Sequence, residues 1–122
     1  MKKGLFVHLI CLLFILCAPQ VFAGELGLEW DANTETNLAG YKVYYDTDGS
    51  GPPYNGKGQA EGDSPIDVKN VTEFWFRTMD YKANNFWFVV TAYNTEGFES
   101  GYSNEVNTVP PSSPVNLQGG PK

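Results

Sequence analysis

An all-β sandwich is the fold this sequence predicts, and three observations carry the prediction. The run Phe86-Trp87-Phe88-Val89-Val90-Thr91-Ala92-Tyr93 is aromatic and β-branched and leads into the turn signal Asn94-Thr95-Glu96-Gly97. It reads as a buried central strand entering a tight turn. Apolar and polar residues alternate with period two in several other short runs, and no helical periodicity is visible after residue 23. Gly, Pro, Asn and Asp cluster between the runs, where turns are needed.

The elements follow in chain order. Leu26, Leu28 and Trp30 alternate with Glu25, Gly27 and Glu29, which makes a strand with one dry face and one acidic face. Residues 31–37 form a polar loop rich in turn formers. Gly40 opens the next strand, in which Tyr41, Val43 and Tyr45 alternate with Lys42 and Tyr44. Asp46 to Pro53 is a long turn, and the stretch to Asp63 reads as a mobile connection with one short edge strand. Ile66 and Val68 make a brief strand, and Phe74 and Phe76, with Trp75 opposite, make another. Met79 to Asn85 is a connection, Phe86 to Tyr93 the central strand, and Tyr102 to Val106 leads the last. About six short strands with turns between them fit an immunoglobulin-like sandwich. Trp30, Tyr41, Phe74, Phe76, Phe86, Phe88 and Val90 are the residues expected to fill its core.

The first 23 residues stand apart from this pattern. Lys2 and Lys3 precede an apolar stretch from Leu5 to Cys17, then Pro19 and Val21-Phe22-Ala23. Basic start, apolar middle and small residue before a break are the layout of a secretory leader, with cleavage expected after Ala23. The stretch falls short of the roughly 20 residues a membrane-spanning helix needs. The expected domains are therefore residues 1–23 as signal peptide, 24–110 as one sandwich and 111–122 as a Pro-, Ser- and Gly-rich tail. The expected location is secreted or periplasmic, with no membrane insertion after cleavage. Both cysteines, Cys11 and Cys17, lie in the leader, so the processed chain is held by packing and not by a disulfide. Loss of Lys2 and Lys3 leaves six basic against 14 acidic residues, a net charge of −8. That balance argues against nucleic acid and anionic membranes as partners, since both require clustered Lys and Arg.

Four segments together carry a resemblance. They are Leu28-Glu29-Trp30-Asp31; Leu38-Ala39-Gly40-Tyr41-Lys42-Val43-Tyr44-Tyr45; Phe86, Phe88, Val90, Ala92-Tyr93-Asn94 and Gly97; and Glu99 to Val106. In this order and spacing they resemble a fibronectin type III domain of the bacterial extracellular kind, from about Leu26 to Val109. The resemblance implies a spacer, adhesion or accessory module. Three departures from the family stand out. The family's first strand lies upstream of the Trp strand, and after cleavage only Gly24 and Glu25 precede Leu26, so that strand is expected to be missing or vestigial. Phe86 stands where the family usually has a Tyr whose hydroxyl bonds to nearby backbone. The Arg-Gly-Asp adhesion tripeptide is absent. The tail segment Pro111 to Leu117 resembles the start of such a domain, and three readings of it are open: a disordered tail, a stub of a second module, or a cover for the open sheet edge, within one chain or between two.

Chemistry-bearing constellations are few. The single histidine, His8, sits in the leader, and no thiol remains after cleavage, so nucleophilic catalysis lacks a base and a nucleophile pair. Asp46 to Gly51 begins like a calcium loop, but the twelfth position, which needs a bidentate carboxylate, is Lys57. Asp31, Asn33 and Glu35 are explained as turn formers. Asn70-Val71-Thr72 matches a glycosylation tripeptide, but such tripeptides are frequent by chance and the leader resembles a bacterial one, so no glycan is expected. The expectation is therefore a non-enzyme without metal or cofactor. Outward aromatics are the functional lead. If Tyr41, Val43, Phe86, Phe88 and Val90 point inward, Tyr44 and Trp87 point outward on neighbouring strands, where they suit a sugar ring or a protein anchor. Trp75, on the other sheet, is a third candidate. The partner is read as a protein or a polysaccharide, and the alternative to contact is ordinary cross-strand packing. An open sheet edge offers a further route, self-association through strand pairing.

Overall fold

A computed structural model describes residues 7–12, as backbone, and residues 25–121. The described residues form seven strands: β1 Val7–Leu12, β2 Glu25–Trp30, β3 Leu38–Asp46, β4 Ile66–Lys69, β5 Glu73–Phe76, β6 Trp87–Asn94 and β7 Val106–Asn107. They form two antiparallel sheets, one in the order β1-β2-β5 and the other in the order β4-β3-β6-β7. The chain is an immunoglobulin-like β-sandwich, as its alternation predicts.

The core lies between the sheets, because each strand turns its apolar set inward. Leu26, Leu28 and Trp30 of β2 and Phe76 of β5 face Tyr41, Val43 and Tyr45 of β3 and Phe88, Val90 and Ala92 of β6, all buried. Aromatic rings meet across the layer: Trp30 with Tyr41 at 5.4 Å, Tyr45 with Phe76 at 5.8 Å and Phe76 with Phe88 at 5.5 Å. Phe86 is buried just ahead of β6, so the ring is kept without the hydroxyl. Its backbone is instead bonded both ways to Thr108, whose Oγ1 accepts the Phe86 N–H at 2.9 Å and whose N–H reaches the Phe86 carbonyl at 3.0 Å. Phe74 departs from expectation. It is partly buried and packs against the core rim, edge-on to Phe76 at 5.2 Å. Met79, in a connection without alternation, is fully buried.

Three elements differ from the sequence reading. The place expected to lack a first strand is filled, in the full chain, by Val7–Leu12. It runs antiparallel to β2, with Val7 opposite Trp30 and Leu12 opposite Glu25. This strand comes from the segment read as a leader. An extended apolar stretch meets the same need on a sheet edge as a dedicated strand, since both supply backbone partners to β2.

The stretch to Asp63 contains no strand and is tied down. Gly56 N–H donates to the Tyr45 carbonyl at 2.8 Å, and Ser64 N–H donates to the Gly56 carbonyl at 2.9 Å. The Ser64 hydroxyl accepts the Tyr45 N–H at 3.0 Å and donates to the Tyr54 carbonyl at 2.6 Å. The Tyr45 hydroxyl reaches the Gly62 carbonyl at 2.7 Å, and Tyr54 is itself buried. Side-chain bonds to backbone replace the expected edge strand here.

The last strand is shorter than expected. Only Val106–Asn107 pairs regularly with β6. Upstream, serines do the pairing. Ser100 donates its N–H to the Ala92 carbonyl at 2.8 Å, while its hydroxyl accepts the Ala92 N–H at 2.9 Å. Ser103 does the same with Val90, at 2.9 Å and 2.9 Å. Two residues along β6 thus face three along this segment. A bulge of that kind carries the segment's own carbonyls out of reach, and a serine hydroxyl takes their place as acceptor. The run Glu99-Ser-Gly-Tyr-Ser-Asn-Glu105 therefore looks unlike a strand while filling a strand's position.

Candidate functional site

Two loops meet at one end of the sandwich. Residues 31–37 leave β2, and residues 95–98 leave β6. The first is anchored from the core, since the Tyr41 hydroxyl accepts the Asn33 N–H at 2.7 Å. The second is organised by Asn94. Its Oδ1 accepts the N–H groups of Glu96 and Phe98, each at 3.0 Å. Its backbone N–H donates to the Phe98 carbonyl at 3.0 Å, and its carbonyl accepts the Gly97 N–H at 3.0 Å. Gly97 sits at φ 85°, a conformation that glycine adopts without steric cost. The Thr95 N–H donates to the Asn37 carbonyl at 2.9 Å and ties the loops together. Asn94 and Gly97 thus hold a turn that presents a side chain.

That side chain is Phe98, 70% exposed. It borders a hollow of about 220 Å³ walled by Asn33, Glu35, Asn37, Tyr93 and Ser100 among others. Amide, carboxylate and hydroxyl groups ring an aromatic edge there. Phe98 was not among the candidates drawn from the sequence. The signal was an aromatic residue directly after a turn, outside any alternating run, where no inward face exists to receive it.

The outer face of β3 and β6 runs down from this hollow. Tyr44, Lys42 and Thr91 converge on Glu99. Lys42 Nζ approaches Glu99 Oε1 at 3.0 Å, the Thr91 hydroxyl donates to Oε2 at 2.9 Å, and the Tyr44 hydroxyl donates to the same oxygen. Burial opposes the Glu99 charge, but the bonds from Tyr44, Lys42 and Thr91 outweigh it and hold the carboxyl below its ordinary range. Burial and then the Glu99 bond push Tyr44 well above the ordinary phenol range. Glu105 forms a second hub. It accepts from the Ser50 hydroxyl at 2.6 Å, the Gly51 N–H at 2.8 Å and the Tyr54 hydroxyl at 2.6 Å. Burial again opposes its charge, and these three donors still lower its pKa. Tyr54 is pushed up to about 12 by burial and by its bond to Glu105. Between the hubs, Tyr102 meets Tyr44 and Tyr54 edge-on, each at 5.2 Å.

The sequence-derived candidates fall in three separate settings. Tyr44 belongs to the Glu99 hub, and the ring it meets is Tyr102. Trp87 is half-buried at the opposite end of β6, paired with Asp46 and Asn107. Tyr44 pairs with Val89, so the two aromatics are diagonal neighbours on one face, as the alternation requires. Trp75 lies on the other sheet, its ring over Gly27, where a Cβ would come within 2.8 Å of it. Arg77 stacks on that ring at 5.6 Å and reaches Glu25 at 2.8 Å. In the turn that begins like a calcium loop, Asp46 Oδ1 accepts the Thr47 N–H at 2.8 Å, and a hydrogen bond and repulsion from Asp46 raise the pKa of Asp48.

No protein-family model matches this chain, and no curated protein matches it. Among solved structures, the third fibronectin III domain of the human KIAA0343 protein is similar over 81% of this chain and 80% of that one, with 16% sequence identity and a TM-score of 0.47.

Proposed function

We propose that this chain is an exported, non-catalytic binding module of fibronectin type III kind, whose contact surface is the end of the sandwich around Phe98. One observation carries the reading: an exposed aromatic ring is presented by a turn in which every backbone N–H from Asn94 to Phe98 is hydrogen-bonded. A large apolar residue fixed in water gains nothing for the free chain, whereas a rigid aromatic anchor loses little entropy when a partner covers it. The adjoining hollow supplies hydrogen-bonding groups around the anchor, the arrangement of an apolar centre with a polar rim. The partner is a protein that inserts a side chain beside Phe98. The acidic balance of the processed chain favours a neutral or basic partner surface and disfavours nucleic acid.

The test compares wild type with Phe98→Ala as bait in the extracytoplasmic fraction. Truncation is expected to abolish capture of a specific protein while the melting temperature stays unchanged. Equal capture by both forms overturns the assignment. A polysaccharide platform needs an open ring face. Tyr44 and Trp75 are each engaged by neighbours, so the glycan reading depends on Trp87. Binding in a glycan array that is lost in Trp87→Ala and kept in Phe98→Ala selects that reading instead.

A further inference from the structure

The edge of β2 is a strand-accepting slot, and the strand that fills it in the full chain belongs to the segment read as a leader. We propose that, once the leader is removed, the chain's own tail from Pro114 to Gln118 takes the place of Val7–Leu12 beside β2. The proposal rests on the leader reading and is independent of the Phe98 site.

The geometry supports the exchange. β1 starts opposite Trp30 and ends opposite Glu25. β2 and β6 both end at the pole where Asn37 and Thr95 are bonded, so β7, antiparallel to β6, runs away from that pole in the direction of β1. β1 and β7 lie against each other. The tail therefore leaves β7 near the Glu25 end of the slot. Six residues, Thr108 to Ser113, separate β7 from Pro114. They reach about 20 Å when extended, against the roughly 10 Å between packed sheets. Doubling back, the tail enters the slot parallel to β2.

The tail's pattern fits the slot in one register. Val115 and Leu117 are 81% and 93% exposed while β1 occupies the edge. Set opposite Leu26 and Leu28, both buried on the core side, they extend the dry face, and Asn116 falls opposite Gly27 on the outer face. Pro114 falls opposite Glu25 at the strand start, a place where a missing N–H is tolerated. Gln118 falls opposite exposed Glu29 on the outer face. An emptied edge leaves β2 backbone groups unpaired and one flank of Leu26, Leu28 and Trp30 uncovered, so the exchange has a driving force.

The test uses the full gene, exported and purified from outside the cytoplasm, with its N-terminus read by mass. Glu29→Cys with Gln118→Cys is oxidised under mild conditions. The expected product is a monomer with a cross-link inside one chain, absent from either single variant. In a second arm, a stop after Pro111, or Leu117→Asp in the intact chain, is expected to lower Tm by about 4–8 °C and to speed amide exchange along β2 by about tenfold or more. A cross-link only between copies, no cross-link, an unchanged Tm, or a retained leader on the exported protein each overturns the proposal.

Discussion

β6 has two flanks, and they are built differently. Toward β3 it is joined by a ladder in which Tyr41 to Asp46 pair residue by residue with Ala92 to Trp87. Toward the chain end it is joined over most of its length by Ser100 and Ser103, whose hydroxyls accept N–H groups that a regular strand would have met with carbonyls. The first flank depends on backbone and tolerates many side chains. The second depends on two particular side chains and on Glu99 and Glu105, which fix the segment to the sheet face and to the loop after β3. The difference teaches where this sandwich is sensitive to sequence: hydrogen bonding is fragile on the side where hydroxyls do the work of backbone.

The largest test removes the support common to both flanks. Phe88→Ala opens a cavity against Phe76 and Phe86, and a loss of about 3–5 kcal/mol is expected in urea unfolding. A loss near 1 kcal/mol would mean that the core is not what aligns β6. Next comes the serine flank itself. Ser103→Ala leaves the buried Val90 N–H without its acceptor and is expected to cost about 1–3 kcal/mol, with Ser100→Ala similar at Ala92. A neutral result would show that the segment can regularise its own pairing and that the contrast between flanks is superficial.

Acid and base sharpen the contrast by addressing the hubs. Glu99 and Glu105 both have pKa values lowered by folding. Their stabilisation is thus complete above the unfolded value, 4.5 for Glu99 and Glu105, and is lost as pH falls through the lower folded values. Tyr44 and Tyr54 are raised from 10.0. Their contribution is complete below 10.0 and fades as pH climbs toward the folded values, about 12 for Tyr54. Urea midpoints should therefore fall at both extremes, and Glu99→Gln with Glu105→Gln should flatten the acid limb. The smallest effect belongs to the most exposed contact of the Glu99 hub. Lys42→Ala breaks a partly exposed ion pair with Glu99 and is expected to cost about 0.2–1 kcal/mol. A larger loss would mean that Lys42, and not Tyr44 or Thr91, is the main support of the Glu99 carboxylate.

Alternation made most of the fold legible. The dry faces of β2 and β3 each declare an inner side that their buried residues match, whereas β6 is buried on both faces from Phe88 to Ala92. The signal failed where structure is made by side chains bonding to backbone, because such bonds have no period. Met79, Tyr54 and the Ser100–Ser103 pairing all belong to this class. The Phe98 site was hidden for a related reason. The turn residues Asn94 and Gly97 were visible, but the exposure of the residue they present follows from how two loops meet.

Short-range alternation by itself determined the inner strands, the two-layer architecture and most of the core, since the pleat assigns successive side chains to opposite faces before any partner is chosen. Only the tertiary structure decided which strand borders the free edge of β2, how carboxylates at Glu99 and Glu105 gather donors from distant loops, and which aromatic is left facing water. Those outcomes depend on contacts between residues far apart in the chain, and no local pattern records them.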